Sequence, residues 1–578
     1  MPRFLSAIRH RPIPTALGAL VCSVMAPAAL AAEDIPPAAD AVLAQQMEQF
    51  RAPVPGSVFA LQPFRNAATA TAEDGTVYTL TSLNPHINIW YVLEIAPPNT
   101  RAASYHLELA DPDTSSLALS TGAAPALTVM RDGEASDCRD WRAEIEEARQ
   151  SALPYAPICD WAAYLRNPVS GNRSTKEAVA DFLRDNVLFG DSIVNMIKGS
   201  FYEDAFMVSS DEFEAEVVND GVEVLGAALL DRAPQMRPYM GFDVIGTDGG
   251  LMQAGSWYEI EDAPGIYASV VQPGMVSREI LNSGGAGWPD GVESRADVYM
   301  VAFDMQQFEI GYEVGTDHPR VNWSPRPSGR GGRHYEGQGP DGFGTTDPLV
   351  TVGVLNPSKA DRVAATFTGG FKREHGAWRF GPYAQANWGH HYGFLENGVM
   401  LSRLWPTLAT LYVLDDGSVH METWTEEHEA LLPRIVFARQ NGVPVIEDGV
   451  PGSQVASWGG GNWSGSANAD LRTLRGGACL RTVGGRQFMI YAYFSSATPS
   501  GMARTFQAYQ CDYAMLLDMN SQEHTYMALY THEEDGIKPH HLVQGMSAID
   551  GRGRSGEVYP RFVSQPDNRD FFYLLRKD

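Results

Sequence analysis

The sequence predicts an α+β fold: a strand-rich mixed-sheet domain preceded by a small α+β domain. Three observations predict it. The composition is globular, with 44% hydrophobic and 20% charged residues over 578 positions, length enough for about three domains. From about residue 240 onwards, short β-like runs recur between Gly, Asn and Asp residues. Helical patterns are few there, Glu427 to Gln440 and Ser500 to Gln510 being the best.

Taken in order, the first segment reads as an export signal. Arg3, Arg9 and Arg11 form a positive start, Thr15 to Leu30 is mostly apolar and too short to span a bilayer comfortably, and Ala29-Leu30-Ala31 fits the small-x-small cleavage rule. Residues 1–31 are expected to be a Sec-type signal peptide, with an uncleaved anchor as the alternative. Val21 before Cys22 argues against a lipobox. The mature chain is then expected to be periplasmic or extracellular, with no transmembrane segment. Residues 32–70, rich in Ala and Pro, read as a linker with one short helix.

Residues 71–200 read as the small α+β domain. Val77-Tyr78-Thr79-Leu80 and Ile87 to Ile95 are strand-like, Asp140 to Gln150 is helical in pattern, and Ser174 with Glu177 starts a further helix through Val179 to Ile197 as a capping box. Residues 240–578 form the larger domain. Its strand candidates are Gly265 to Gln272, Val298 to Met305, Phe308 to Val314, Val363 to Phe367, Leu408 to Leu414, Phe488 to Phe494 and Ala514 to Asp518. Asn322 to Thr346, dense in Gly, Pro and Arg, is too polar to pack and reads as a long loop.

Beyond Cys22 the chain has Cys138, Cys159, Cys479 and Cys511. An even number in an exported chain favours disulfides, and neighbour pairing, Cys138–Cys159 and Cys479–Cys511, is preferred among the three connectivities. A zinc site is disfavoured because no CxxC spacing occurs. Lys+Arg is 43 against Asp+Glu 70, a net charge of −27, which repels phosphate backbones and makes nucleic acid an unexpected partner. No Lys follows a Gly, so there is no P-loop, and neither HExxH nor GxSxG occurs. No metal and no cofactor are expected. Eleven of the 14 His lie from His318 onwards, including the doublets His390-His391 and His540-His541, which points to the C-terminal half as the seat of any chemistry.

Four segments of that half carry the functional signal. Thr366-Phe367-Thr368-Gly369-Gly370-Phe371 is a strand running into a Gly-Gly turn, and Gly393-Phe394-Leu395-Glu396-Asn397-Gly398 is a hairpin signal. Gln440 to Gly449 holds a turn, a strand and the carboxylates Glu447 and Asp448 at a second turn. Arg475 to Tyr493 is followed by a helix around Met502-Ala503-Arg504 and by Leu516-Leu517-Asp518-Met519-Asn520. In order and spacing these segments resemble the phosphodiester glycosidase family, in a divergent bacterial subgroup, over about residues 265–578. Thr368-Gly369-Gly370-Phe371 stands for the family's Asn-Gly-Gly-Phe. Leu517-Asp518 stands for its Leu-Asp-Gly-Gly-Gly-Ser, with Met519-Asn520 in place of the glycines. Arg475 matches the family's Arg segment, and Arg472-Thr473 competes for that role.

The resemblance implies hydrolysis of a sugar-1-phosphodiester through an oxocarbenium-like state, which a carboxylate stabilises, while cations hold the phosphate. On that reading Asp518, Glu447 and Asp448 are the candidate carboxylates, and His390, His391 and His524 the candidate acid/base groups. Arg475, Arg472 and Arg481 are candidate phosphate ligands. Thr368, Gly369, Gly370 and Asn520 are further substrate contacts, and Trp458 and Trp463, flanking a Gly-Gly-Gly-Asn loop, are sugar-stacking rings. Each has a plain structural reading as well: a turn, a surface ion pair or a core side chain. A non-catalytic carbohydrate- or anion-binding protein on the same fold, and a metal-dependent phosphodiesterase using the His cluster, are the alternatives. The expected partner is a carbohydrate or glycosyl phosphodiester.

Overall fold

The computed structural model describes residues 57–174, 177–179, 203–213, 223–247, 249–317, 345–371, 392–456 and 470–577. Val298–Asp304, Arg486–Ala497 and Tyr513–Met519 carry apolar residues on both faces and are buried along nearly their whole length, so they lie inside rather than at a solvent face. They are central strands of an eight-stranded sheet. Its order is Tyr258–Glu259, Ile266–Val271, Val298–Asp304, Arg486–Ala497, Thr473–Val483, Tyr513–Met519, Ile446–Glu447, Val450–Pro451.

A five-stranded sheet covers one face: Phe308–Glu313, Phe571–Arg576, Val363–Thr368, Met527–Glu533, Gly536–His541. Phe367 of this sheet meets Tyr491 of the larger one with ring centroids 5.2 Å apart, so one hydrophobic core runs between them. A second five-stranded sheet, ordered Val399–Ser402, Phe394–Glu396, Ile435–Gln440, Ala409–Leu414, Val419–Thr423, joins that core through Phe437, whose ring lies 5.9 Å from Phe572. The strand pairs of all three sheets are antiparallel. The strand expectations named above fall on observed strands.

The helix expected at Ser500 to Gln510 is Pro499–Ala508, with Pro at its first position and the Thr498 hydroxyl accepting from Gly501 N–H at 3.1 Å. The helix expected over Glu427 to Gln440 does not form. Glu426–Arg434 is a 3₁₀ segment with Pro433 inside it, and Ile435–Gln440 is a strand between Phe394–Glu396 and Ala409–Leu414. Pro433 cannot continue a helical ladder, and Ile435, Phe437 and Ala438 fit two open strand edges.

The N-terminal part has its own core. Six strands run in the order Asn66–Thr71, Val77–Ser82, Trp90–Ala96, Ala103–Leu109, Ala163–Arg166, Tyr155–Ile158. Helix Trp141–Ser151 packs on them through Trp141, Ile145 and Ala148, which share one face. The strand Asn66–Thr71 lies in the stretch read as linker, and Val58–Leu61 is a single helical turn. Both expected disulfides are present, Cys138–Cys159 and Cys479–Cys511. Among the described residues no helix is long and apolar enough to cross a membrane.

Candidate functional site

The Gly369–Gly370 turn sits where the two large sheets touch. Val363–Thr368 ends there, and Gly369 binds both neighbours: its carbonyl accepts from Asp518 N–H at 3.1 Å, and its N–H donates to the Asp570 carbonyl at 2.9 Å. Both glycines are required by space. A Cβ on Gly369 would lie 2.7 Å from Asp570 Oδ2, and one on Gly370 would lie 2.5 Å from Asn441 Cγ and 2.7 Å from Arg439 Nη2. Asn441 closes the corner, its Oδ1 accepting from Phe371 N–H at 2.9 Å and its amide donating to the Leu516 carbonyl at 2.7 Å. Three of the sequence segments singled out above, around Thr368, Asn441 and Asp518, therefore meet at one point.

Asp518 is the last acidic residue of a buried central strand and is itself buried. Its Oδ1 accepts from Met519 N–H at 2.8 Å, and its Oδ2 pairs with Arg569 Nη1. Burial pushes its carboxyl up to about 6, against the downward pull of Arg569. Burial works against the Arg569 charge too, but Asp518 and Glu177 together hold its pKa above the usual value. The guanidinium is firmly charged, while the carboxylate has too few donors to escape desolvation.

Arg569 Nη2 donates to Glu177 Oε1 at 2.9 Å and to His524 Nε2 at 3.0 Å. Since arginine only donates, His524 Nε2 carries no proton, and the ring proton sits on Nδ1, which donates to the Met519 carbonyl at 3.1 Å. Nε2 thus holds Arg569, while Nδ1 ties the ring to the Met519 carbonyl. Its backbone is held as well, the Thr368 hydroxyl donating to the His524 carbonyl at 2.6 Å. Behind Arg569, a second layer of charge is equally buried: Arg439 Nε donates to Asp570 Oδ2 at 2.5 Å, and Tyr312 OH donates to the same oxygen at 2.8 Å.

The remaining candidates lie elsewhere. Tyr513–Met519 stops at Met519, and Asn520 turns away with φ +80°, its Oδ1 accepting from Thr473 Oγ1. Arg475 is across from Met519, not beside Asp518. It is wholly buried, donates to the carbonyls of Ala497 at 2.7 Å and Leu471 at 3.0 Å, and is lowered to about 10 by burial. Arg472 is occupied by Asp204, Glu203 and Asp290. Arg481 is six residues further along Thr473–Val483, about 20 Å from Arg475 at strand rise.

Glu447 pairs with Thr423 near Tyr513, at the opposite end of the Asp518 strand. Asp448, at φ +50°, and Gly449, at φ +74°, are the two residues of a tight hairpin turn. His390, His391, Trp458 and Trp463 lie outside the described residues. Among the described residues no group of three or more His, Cys, Asp or Glu is placed to hold a metal.

Arg569, Glu177, Asp570 and Arg439 were missed by the sequence reading. Asp567-Asn568-Arg569-Asp570, four polar residues all buried directly before the apolar Phe571–Arg576, was the available signal. Glu177 was read as half of a capping box. Its N–H does take the Ser174 hydroxyl, at 3.2 Å, but its carboxylate reaches Arg569.

No family model matches the chain, and no curated protein sequence does. Among solved structures, the chain is similar to the catalytic domain of zebrafish N-acetylglucosamine-1-phosphodiester alpha-N-acetylglucosaminidase auto-inhibited by its pro-peptide, at 9% identity over 55% of this chain and 85% of that one, with a TM-score of 0.30. It is also similar to a hypothetical protein from Synechocystis, at 8% identity over 89% of this chain and 99% of that one, with a TM-score of 0.25. At these scores neither likeness decides fold or function.

Proposed function

We propose that the protein is an exported hydrolase of glycosyl phosphodiesters, with Asp518 as the carboxylate that faces the anomeric centre. One observation carries the reading: segments far apart in sequence, which resemble the phosphodiester glycosidases in order, converge on Asp518 through Gly369 and Asn441. The cation that such a substrate's phosphate needs is Arg569 rather than Arg475, Arg472 or Arg481. Arg569 is beside Asp518, and its buried Nε–H has no hydrogen-bond partner among the described residues. Phosphate monoester is a good leaving group, so this site demands charge stabilisation in a place without water more than strong acid catalysis.

A second reading is favoured by the saturation of Asp518, whose two oxygens are taken by Met519 N–H and Arg569. On it the same site binds a carbohydrate or anion without turnover. Incubation of the mature protein with UDP-GlcNAc, with and without EDTA, separates the readings. Sugar release indifferent to chelator is the expected result, saturable binding without release supports the second reading, and release abolished by chelator overturns both in favour of a metal-dependent phosphodiesterase.

A further inference from the structure

A second group of buried charges lies away from Asp518, where the six-stranded N-terminal sheet meets the core. Arg166 enters from the end of Ala163–Arg166, and its guanidinium is shared by three carboxylates: Glu108 from Ala103–Leu109, Glu313 from Phe308–Glu313 and Glu396 from Phe394–Glu396. The four side chains are between 0 and 3% exposed, so water does not screen them. One cation in contact with three acids leaves an excess of negative charge in a place that cannot bear it.

Among the described residues, the other groups facing the cluster do not balance it; Tyr164, Tyr312 and Tyr573, which face its carboxylates, are raised by burial and stay neutral. Lys359 adds one positive charge, but its ammonium is on Tyr573 OH at 2.7 Å rather than on a carboxylate. Tyr155 is neutral and donates to Glu313 Oε1 at 3.1 Å. His106 accepts from Val350 N–H at its Nδ1, at 3.0 Å, and burial, with Arg166 adding to it, keeps the ring uncharged. With Arg166 and Lys359 charged and all three acids ionised, the cluster would carry one net negative charge.

The three acids are not equally provided for. Glu108 accepts from Arg166, from Trp90 Nε1 at 2.9 Å and from Asn356 Nδ2 at 2.6 Å. Burial pushes its carboxyl up, but Arg166 and Lys359 outweigh it and hold it below the usual range. Glu313 and Glu396 instead compete for one nitrogen, Arg166 Nη2, at 2.8 and 3.4 Å. Beyond that long contact, Glu396 takes Val314 N–H at 3.1 Å.

We propose that Glu313 and Glu396 hold one proton between them at neutral pH, chiefly on Glu396, and that this proton keeps the N-terminal sheet seated on the core. It is independent of the proposed hydrolase activity. Burial, reinforced for Glu396 by Glu313, raises both carboxyls above their ordinary value of 4.5. Groups raised in the folded state bind their proton more tightly there than in the unfolded chain. Their stabilisation is complete below about pH 4.5 and is lost as the pH climbs through the folded-state value.

The test uses the full mature chain. Glu396→Gln mimics the protonated acid, so the variant should match wild type in melting temperature at pH 5 and exceed it at pH 8, flattening the pH dependence. Glu313→Gln is the second variant, and removes the same competition for Arg166 should Glu396→Gln fail to fold. On wild type, infrared spectra at pH 7 should show the carbonyl stretch of a protonated carboxylic acid, and either substitution should remove all of it but the small part that Asp518 contributes. Hydrogen exchange at Ala103–Leu109, Tyr155–Ile158 and Ala163–Arg166 should rise with pH in wild type more than in the variant. Absence of the acid band, or a Glu396→Gln deficit of equal size at pH 5 and pH 8, overturns the proposal.

Discussion

Asp518 Oδ2 and Arg569 Nη1 form a buried ion pair across the junction of two sheets, one residue at the end of a central strand, the other just before Phe571–Arg576. Arg569 keeps Asp518 partly ionised where burial would neutralise it, and Glu177 and His524 keep Arg569 aimed.

Asp518→Asn should lower turnover of a glycosyl phosphodiester by at least a hundredfold, about 3 kcal/mol of transition-state stabilisation, with a smaller change in KM. Asn stands in for the protonated acid, which burial favours, so the variant should keep the fold and lose little stability on urea denaturation. Steady-state kinetics and a urea titration on the same sample check both. Full turnover by a folded variant assigns Asp518 to structure alone.

The pH profile follows from the same carboxyl. Asp518 is raised to about 6, so its ionised fraction grows through that value. Activity that needs the carboxylate should rise through about pH 6, while its contribution to stability, present in full below about 3.8, should fall over the same interval. A pH–rate profile without an acid limb near 6 counts against the role.

Gly370→Ala should destabilise markedly, since the added methyl would meet Asn441 and the Arg439 guanidinium, both buried. An overpacking cost of about 1–3 kcal/mol is expected from thermal denaturation. Activity should fall as well, because Asn441 is bonded to the Asp518 strand.

Arg472→Ala should leave substrate affinity unchanged. Its guanidinium is on Asp204, Glu203 and Asp290, a partly exposed network, so the loss should be about 1 kcal/mol of stability and should shrink at high salt. A rise in KM with unchanged stability would return Arg472 to the site.

Alkylation of the unreduced, denatured mature protein should find no free thiol, both pairs being joined. Reduction should cost roughly 3 kcal/mol per bridge on the chain-entropy model, read from urea midpoints with and without reductant.

The sheets were legible because their strands are short apolar runs between turn residues, as at Ile266–Val271 and Ala409–Leu414. Ile435–Gln440 was not, because Glu427 to Gln440 has helical spacing and only the neighbouring strand edges decide otherwise. Asp518 was legible through its place after an apolar run. Its partner was not: Arg569 is 51 residues away, and the polar run Asp567 to Asp570 before an apolar strand, its one local mark, does not point to Asp518. Cross-strand register places Arg475 opposite Met519 and not Asp518, whereas Arg569 lies just before Phe571–Arg576 and outside any strand.

The Cys479–Cys511 bridge has a bearing on Asp518 that reaches beyond unfolding. Cys479 lies opposite Ala514, and Cys511 lies two residues before the strand that carries Ala514 begins. The bridge thus pins the alignment in which Tyr513–Met519 is added to the sheet. A slip of one residue would exchange the two faces, pointing Leu517 or Met519 at Arg569 and turning the Asp518 carboxylate into the core behind. The covalent link works as an indexing pin: oxidation of the chain selects which side chain of Tyr513–Met519 is presented to Arg569 at the junction.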